Sequence, residues 1–245
     1  MKHHINRRDT RELGFTLLEM MIAVAILLVV TGAIFSQLGT AIQRISAEQV
    51  KVDNFDEARD FVDQFFRDIN QIGYPSGRMV SFAPTISDAR VAVGLVKISA
   101  TSVWFEGDIN GTGVVQSVQY MINGSGTCPL CLQRSQIAKV TGNPLTGQGA
   151  PDWGTEVNDV TTTCSNCIFT YYDSNGNAIT TLPADINSNG AVLASVKTIH
   201  IALVVQNNAV IDLQTQQPIQ TTFEGEVSLN NCSMAATGVP PMSCQ

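Results

Sequence analysis

Histidine, charge and catalytic motifs are scarce in this chain. Three of its 245 residues are histidines, two of them His3 and His4, and 14% of residues are charged. The third histidine, His200, lies in the apolar run 196–205, where a sheet residue fits better than a base or a ligand. No Ser/His/Asp set, paired-carboxylate motif, phosphate-binding loop or dinucleotide fingerprint occurs. The expectation is therefore a protein that is not an enzyme. The formal charge of −7 argues against a broad nucleic-acid surface, because phosphate backbones attract basic faces. Cysteine is absent before Cys128, and six cysteines follow from there. Neither a 33-residue repeat nor strand–helix–strand alternation is visible, which excludes a solenoid and a parallel sheet.

One long apolar run stands out against this background. From Phe15 to Phe35 only Thr16, Glu19, Thr31 and Gly32 are not apolar. As a helix these 21 residues rise about 31 Å, enough to cross the hydrocarbon core of a bilayer. The run contains one carboxylate, Glu19. A charge inside such a helix costs roughly 2.5–3.5 kcal/mol on insertion scales, so Glu19 requires a partner. Lys2, Arg7, Arg8 and Arg11 precede the run and place the N-terminal side in the cytoplasm by the positive-inside rule.

A secretory signal peptide is cut after its apolar region. Here a polar leader ends in a glycine before that region, in the sequence Gly14-Phe15-Thr16-Leu17-Leu18-Glu19. This arrangement resembles the class III signal of type IV prepilins and type II secretion pseudopilins. The resemblance implies that prepilin peptidase cuts between Gly14 and Phe15 and methylates the new Phe15 amine. Residues 1–14 then leave as a cleaved leader, and the apolar helix remains as anchor and assembly core. Glu19 is implied to meet the N-terminal amine of a neighbouring subunit, which supplies the partner that its burial demands. Loss of the leader removes four basic and two acidic side chains, leaving 10 basic against 19 acidic residues, a balance of −9.

The apolar helix then changes character. Leu38, Ile42, Ile45, Val52, Phe55, Ala58, Val62, Phe65, Ile69 and Ile72 recur at three- and four-residue steps, with one skipped turn near Glu48 and Gln49 and charged residues between them. That period describes an amphipathic helix, and Gly73-Tyr74-Pro75 ends it. The expected organisation is a leader at 1–14, a transmembrane and assembly helix at 15–37, an amphipathic half at 38–73 and a β-rich globular domain at 74–245. If continuous, the 58 helical residues from Phe15 to Ile72 rise about 87 Å. No proline interrupts them, so a kink has to come from Gly32 or Gly39. The outer half needs a sheet to cover its apolar stripe. Its ending, Arg67-Asp68-Ile69 with Gly73-Tyr74, is similar to that of PilW-like minor pilins and J-type pseudopilins.

Beyond Met79 short β runs dominate: 91–98, 102–106, 114–122, 132–140, 168–172, 196–205 and 222–229. Asn110-Gly111, Asn123-Gly124, Asn175-Gly176 and Asn189-Gly190 supply turn signals between them. Hairpins are expected around residues 108–113 and at Asn175-Gly176. The segment 141–163 reads as a long surface loop. The expected fold class is α+β, a long N-terminal helix packed on an antiparallel β-sheet globular domain.

All six cysteines follow the apolar helix and so belong to the exported side, where disulfides persist. Cys128 and Cys131 form one CxxC pair and Cys164 and Cys167 a second. Structural disulfides, a zinc site and redox chemistry are the three readings. Compartment favours disulfides, and the three ways of pairing four cysteines stay open. Cys232 and Cys244 enclose 11 residues. A bridge there contributes about 3 kcal/mol in the chain-entropy model. Asp108, Asn110 and Thr112 are the first calcium candidates, followed by the acidic-amide clusters at 173–177 and 185–190. Hard cations take alternating oxygens of a tight loop, but the twelfth-position carboxylate is missing, with Gln119 and Val196 standing there. The plain alternative is Asx turns between strands. No resident cofactor is expected beyond this candidate Ca²⁺.

The resemblance implies a minor pilin that initiates or caps a type IV pilus. A J-type pseudopilin at a pseudopilus tip is the alternative within the same architecture. A pilus-displayed adhesin or calcium-dependent binding module is the alternative from another class. The implied partners are prepilin peptidase, other major and minor pilins, the inner-membrane assembly platform and membrane lipid. The implied location is the inner membrane, single-pass with the globular domain periplasmic, and then the pilus surface.

Overall fold

Helix α1 runs from Leu17 to Asn70, 54 residues without a break. The structure is a computed structural model and describes residues 16–76, 79, 85–123, 130–161, 167–211 and 215–230. Neither Gly32 nor Gly39 interrupts α1, since an isolated glycine weakens a helix without ending it. The chain forms two compact units, Met1–Glu48 and Gln49–Gln245.

Within the first unit the apolar side chains of α1 are exposed, Leu17 and Leu28 among them. Within the second, α1 buries Ala58, Phe61, Phe65 and Ile69 and half-buries Val62 and Phe66. Val52 and Phe55, which share the expected stripe, remain exposed. The covered part of the stripe thus begins at Ala58. Helical bonding stops two residues earlier than the pattern suggests. Gln71 and Ile72 donate to the carbonyls of Asp68 and Ile69, a tighter i→i+3 closure. Gly73 then adopts φ 74°, a left-handed conformation that glycine takes without strain, and its N–H donates to the Glu106 carbonyl at 2.9 Å.

The strands are β1 (Leu95–Ile98), β2 (Ser102–Gly107), β3 (Gln116–Asn123), β4 (Cys131–Ala138), β5 (Trp153–Val157), β6 (Val160–Thr161), β7 (Phe169–Tyr172), β8 (Ala184–Asp185), β9 (Thr198–Ile211) and β10 (Pro218–Ser228). A short helix, α2 (Gly190–Ser195), precedes β9. The expected antiparallel arrangement is present and is divided into two sheets. One has six strands in the order β5-β4-β3-β2-β1-β8. The other has the order β10-β9-β6, with β7 also pairing β9. Strand β9 is 14 residues long. That length lets it meet β10 along one edge and both β6 and β7, in tandem, along the other.

The helix followed by antiparallel sheets is the α+β arrangement that the resemblance implies. The β2–β3 hairpin closes over 108–115 as expected, pairing Gly107 with Gln116. A second, smaller one forms around Asn175-Gly176, where Tyr172 bridges Ala178. The loop expected at 141–163 holds two strands instead, β5 and β6. Its Gly- and Pro-rich first part hides them, and the edge position of β5 needs little apolar sequence. Asn189-Gly190, expected as a turn, starts α2, which buries only Leu193 and shows no helical period.

Phe65 sits where the layers meet. Its ring centroid is 5.3 Å from Tyr120 on β3 and 5.6 Å from Phe169 on β7, so one side chain of α1 packs on both sheets. Phe66 lies over Gly225 on β10 so closely that a Cβ there would clash with its ring. Gly107 is tighter: a Cβ at that position would overlap the Gln71 backbone carbonyl. Gly107→Ala should therefore push the helix end off β2 and cost about 1–3 kcal/mol, the usual range for overpacking. Denaturant unfolding followed by near-ultraviolet circular dichroism checks this, and an unchanged midpoint would contradict the contact.

Candidate assembly site

Thr16 and Glu19 form a reciprocal cap at the start of α1. Glu19 Oε2 accepts the Thr16 N–H at 3.0 Å and the Thr16 hydroxyl at 3.0 Å. The Glu19 N–H donates back to Thr16 Oγ1 at 3.3 Å. The first turn of a helix leaves N–H groups without intrahelical acceptors, and this threonine-x-x-glutamate arrangement satisfies two of them. The expected partner of Glu19 was an amine; within one chain its carboxylate is instead held by Thr16. That cap was legible as a threonine three residues before a glutamate. Gly14 and Phe15 lie outside the described residues.

Behind this carboxylate, α1 is long and apolar enough to cross a membrane. Its most apolar window has a mean hydropathy of 2.5, and none of that window is buried by the rest of the chain. So large an apolar surface is covered in a stable protein by lipid or by other helices. The combination is a capped carboxylate one turn into a bare apolar helix.

The far end of α1 is secured by charge. Asp68 is fully buried, and three donors from the six-stranded sheet converge on its Oδ2. These are the Tyr120 hydroxyl at 2.6 Å, Arg134 Nε at 2.9 Å and Arg134 Nη2 at 2.7 Å. Oδ1 accepts Gln64 Nε2 at 2.7 Å. The Arg134 guanidinium also stands 5.7 Å from the centre of the Tyr120 ring. Burial, and then the neighbouring Asp68 charge, push the Tyr120 phenol well above its usual range, so it stays a donor. Within Arg67-Asp68-Ile69, Asp68 is the sheet anchor, Ile69 is core, and Arg67 reaches only Gln64 on its own helix. Sequence reasoning found the motif but not its partners, since Tyr120 and Arg134 lie 52 and 66 residues away.

Of the cysteines, Cys131 opens β4 and Cys167 lies two residues before β7. Both are disulfide-bonded. Their strands belong to different sheets. Cys128, Cys164, Cys232 and Cys244 lie outside the described residues. Asp108 is buried, and its two carboxylate oxygens accept the backbone N–H groups of Thr112 and Gly113 at 3.0 and 2.8 Å. Asn110 Oδ1 accepts Gln136 Nε2 at 3.2 Å. Asp173 accepts N–H groups of Asn175 and Asn177, and Asp185 those of Asn187 and Ser188. Each cluster is closed by its own backbone in the manner of an Asx turn. Among the described residues no group of three or more His, Cys, Asp or Glu is placed to hold a metal ion. His200 lies on β9 opposite Glu226 on one side and Thr170 on the other.

Residues 9–35 match the model of the prokaryotic N-terminal methylation motif. No curated protein and no solved structure matches the chain.

The Asp68 anchor gives a direct test. Asp68→Ala leaves the Arg134 charge buried without its carboxylate and should cost about 3–5 kcal/mol. Adding Arg134→Met should recover part of that loss. Strictly additive unfolding free energies for the two substitutions would show that the pair is not coupled.

Proposed function

We propose that this type IV prepilin-like chain is a minor pilin, a structural subunit that initiates or caps a type IV pilus. The observation that carries the reading is Glu19, a carboxylate set one turn into an apolar helix that nothing among the described residues covers. The methylation motif implies processing by prepilin peptidase and assembly with other pilins. Cleavage after Gly14 creates an amine at Phe15, and methylation leaves that amine charged. In the membrane Thr16 partly compensates the Glu19 carboxylate. In the filament the carboxylate meets the amine of a neighbouring subunit. A charge that is costly in lipid thereby becomes the contact that registers one subunit against the next. Only a carboxylate at a fixed distance from the helix start can do this, so wrong registers leave both charges unpaired.

The remaining features fit a subunit that is displayed rather than one that turns over substrate. The inner-membrane assembly platform extracts the helix from lipid, and the periplasmic domain follows it to the surface. Disulfides brace a domain that folds outside the cytoplasm. The Arg67-Asp68-Ile69 ending with Gly73-Tyr74, together with the two-sheet domain, favours a minor over a major pilin. The same ending also supports a second reading, a J-type pseudopilin at a pseudopilus tip. A calcium-dependent binding module on a pilin stalk would use the loop at Asp108.

Two substitutions test the assembly reading separately. Gly14→Ala should accumulate as an unprocessed precursor, and a mature chain beginning at Phe15 would rule out the assigned cut site. Glu19→Ala should be processed normally yet nucleate filaments poorly. Wild-type piliation in cells producing only that variant would refute the pairing role.

A further inference from the structure

Lys139 and Glu106 form a second ion pair, and it lies fully inside the β domain. Neither side chain has any exposed surface, and Lys139 Nζ stands 2.7 Å from Glu106 Oε2. Glu106 is on β2 and Lys139 follows β4, so the pair spans the intervening β3. The other two Lys139 donors go to the backbone carbonyls of Ile86 at 3.1 Å and Val91 at 2.9 Å. Glu106 Oε2 also accepts the Val93 N–H at 3.1 Å. Its second oxygen, Oε1, is buried and has no hydrogen-bond partner. It is the one such side-chain atom among the described residues. A fully buried ion pair with an unsatisfied carboxylate oxygen is an expensive arrangement.

We propose that Glu106 and Lys139 condense to an intramolecular amide, a covalent cross-link between β2 and the residue that follows β4. The carboxylate takes one proton from the ammonium. The two N–H bonds that remain on the amine stay on the carbonyls of Ile86 and Val91, which leaves its lone pair facing the carboxyl. Nitrogen attacks Cδ, and the Val93 N–H stabilises the oxygen on which charge develops. The C–O bond to the other oxygen then breaks. That oxygen, Oε1, leaves as water with two protons, the one first taken up at Oε2 and passed across the carboxyl group and a second from the amine, and a neutral amide with one N–H remains. Carboxylic acid and amine give amide and water, with no oxidant, reductant or other reactant.

Three features favour the reaction. The two groups are held in contact by the fold, which removes the entropic cost of bringing them together. Burial pushes the Glu106 carboxyl above the usual carboxylate range despite Lys139 and the Val93 N–H, easing the initial proton transfer. The product removes two buried charges and the unpartnered oxygen together. The nearest other carboxylate on this segment, Asp88, is engaged with Arg90, so the step runs within the pair itself. The cross-link would close the chain from Glu106 to Lys139 into a covalent ring that contains β3 and β4, with the 86–93 segment held to it by hydrogen bonds. It is independent of the assembly role proposed above.

Peptide mass spectrometry of the purified full chain, reduced and digested with trypsin, decides this. The expected result is resistance to cleavage at Lys139 and a branched species joining residues 98–134 to residues 135–197. Its mass should be one water below the sum of the two peptides. Cleavage after Lys139, with residues 98–134 recovered separately at unmodified mass, would overturn the proposal.

Discussion

Asp68 is the point through which the β domain holds its helix. A carboxylate in the last turn of α1 is taken out of water and surrounded by donors from β3 and β4, with Gln64 of the helix completing its shell. A buried charge is tolerated only when it is paired and hydrogen-bonded, so this contact admits one placement of the helix end on the sheet. The other close contacts of that end depend on it. Gly107 leaves room for the Gln71 carbonyl, Gly73 turns the chain away, and the Phe65 ring reaches both sheets. The specificity comes from shape and charge together. Apolar packing alone would permit the helix to slide by a turn along its own stripe.

The other end of the same helix obeys a different constraint. There the apolar surface has no cover among the described residues, and Glu19 is satisfied locally by Thr16. A cap of this kind suits a waiting state, because its bonds are made to the residue's own first turn and can be exchanged for an amine without rebuilding the helix. Asp68 and Glu19, two of the eight carboxylates of α1, thus sit in opposite settings. Asp68 is buried within one chain and fixes the helix end on its sheet, whereas Glu19 is exposed.

Much of this was legible before any coordinates. The match to the methylation motif rests on a local stretch that holds the leader glycine, Phe15 and Glu19 within six consecutive residues. The helix was legible from its period, and the β2–β3 hairpin from Asn110-Gly111 between alternating runs. What stayed hidden was non-local. Nothing near Asp68 announces Arg134, and nothing near Glu106 announces Lys139, because pairs so far apart leave no periodic trace. The division into two sheets escaped notice for a similar reason. It depends on β9 being long enough to serve three strands, and its apolar run stops at Val205 while pairing continues to Ile211. Strands β5 and β6 lie where glycine and proline made a loop the better reading.

The proposed function stands on Glu19 working against an amine created at Phe15. Mass spectrometry of the mature protein purified from its own membrane tests it directly. The account predicts an N-terminal peptide that begins at Phe15 and carries one N-methyl group. A mature chain that retains residues 1–14, or one that begins beyond the apolar helix, would contradict it.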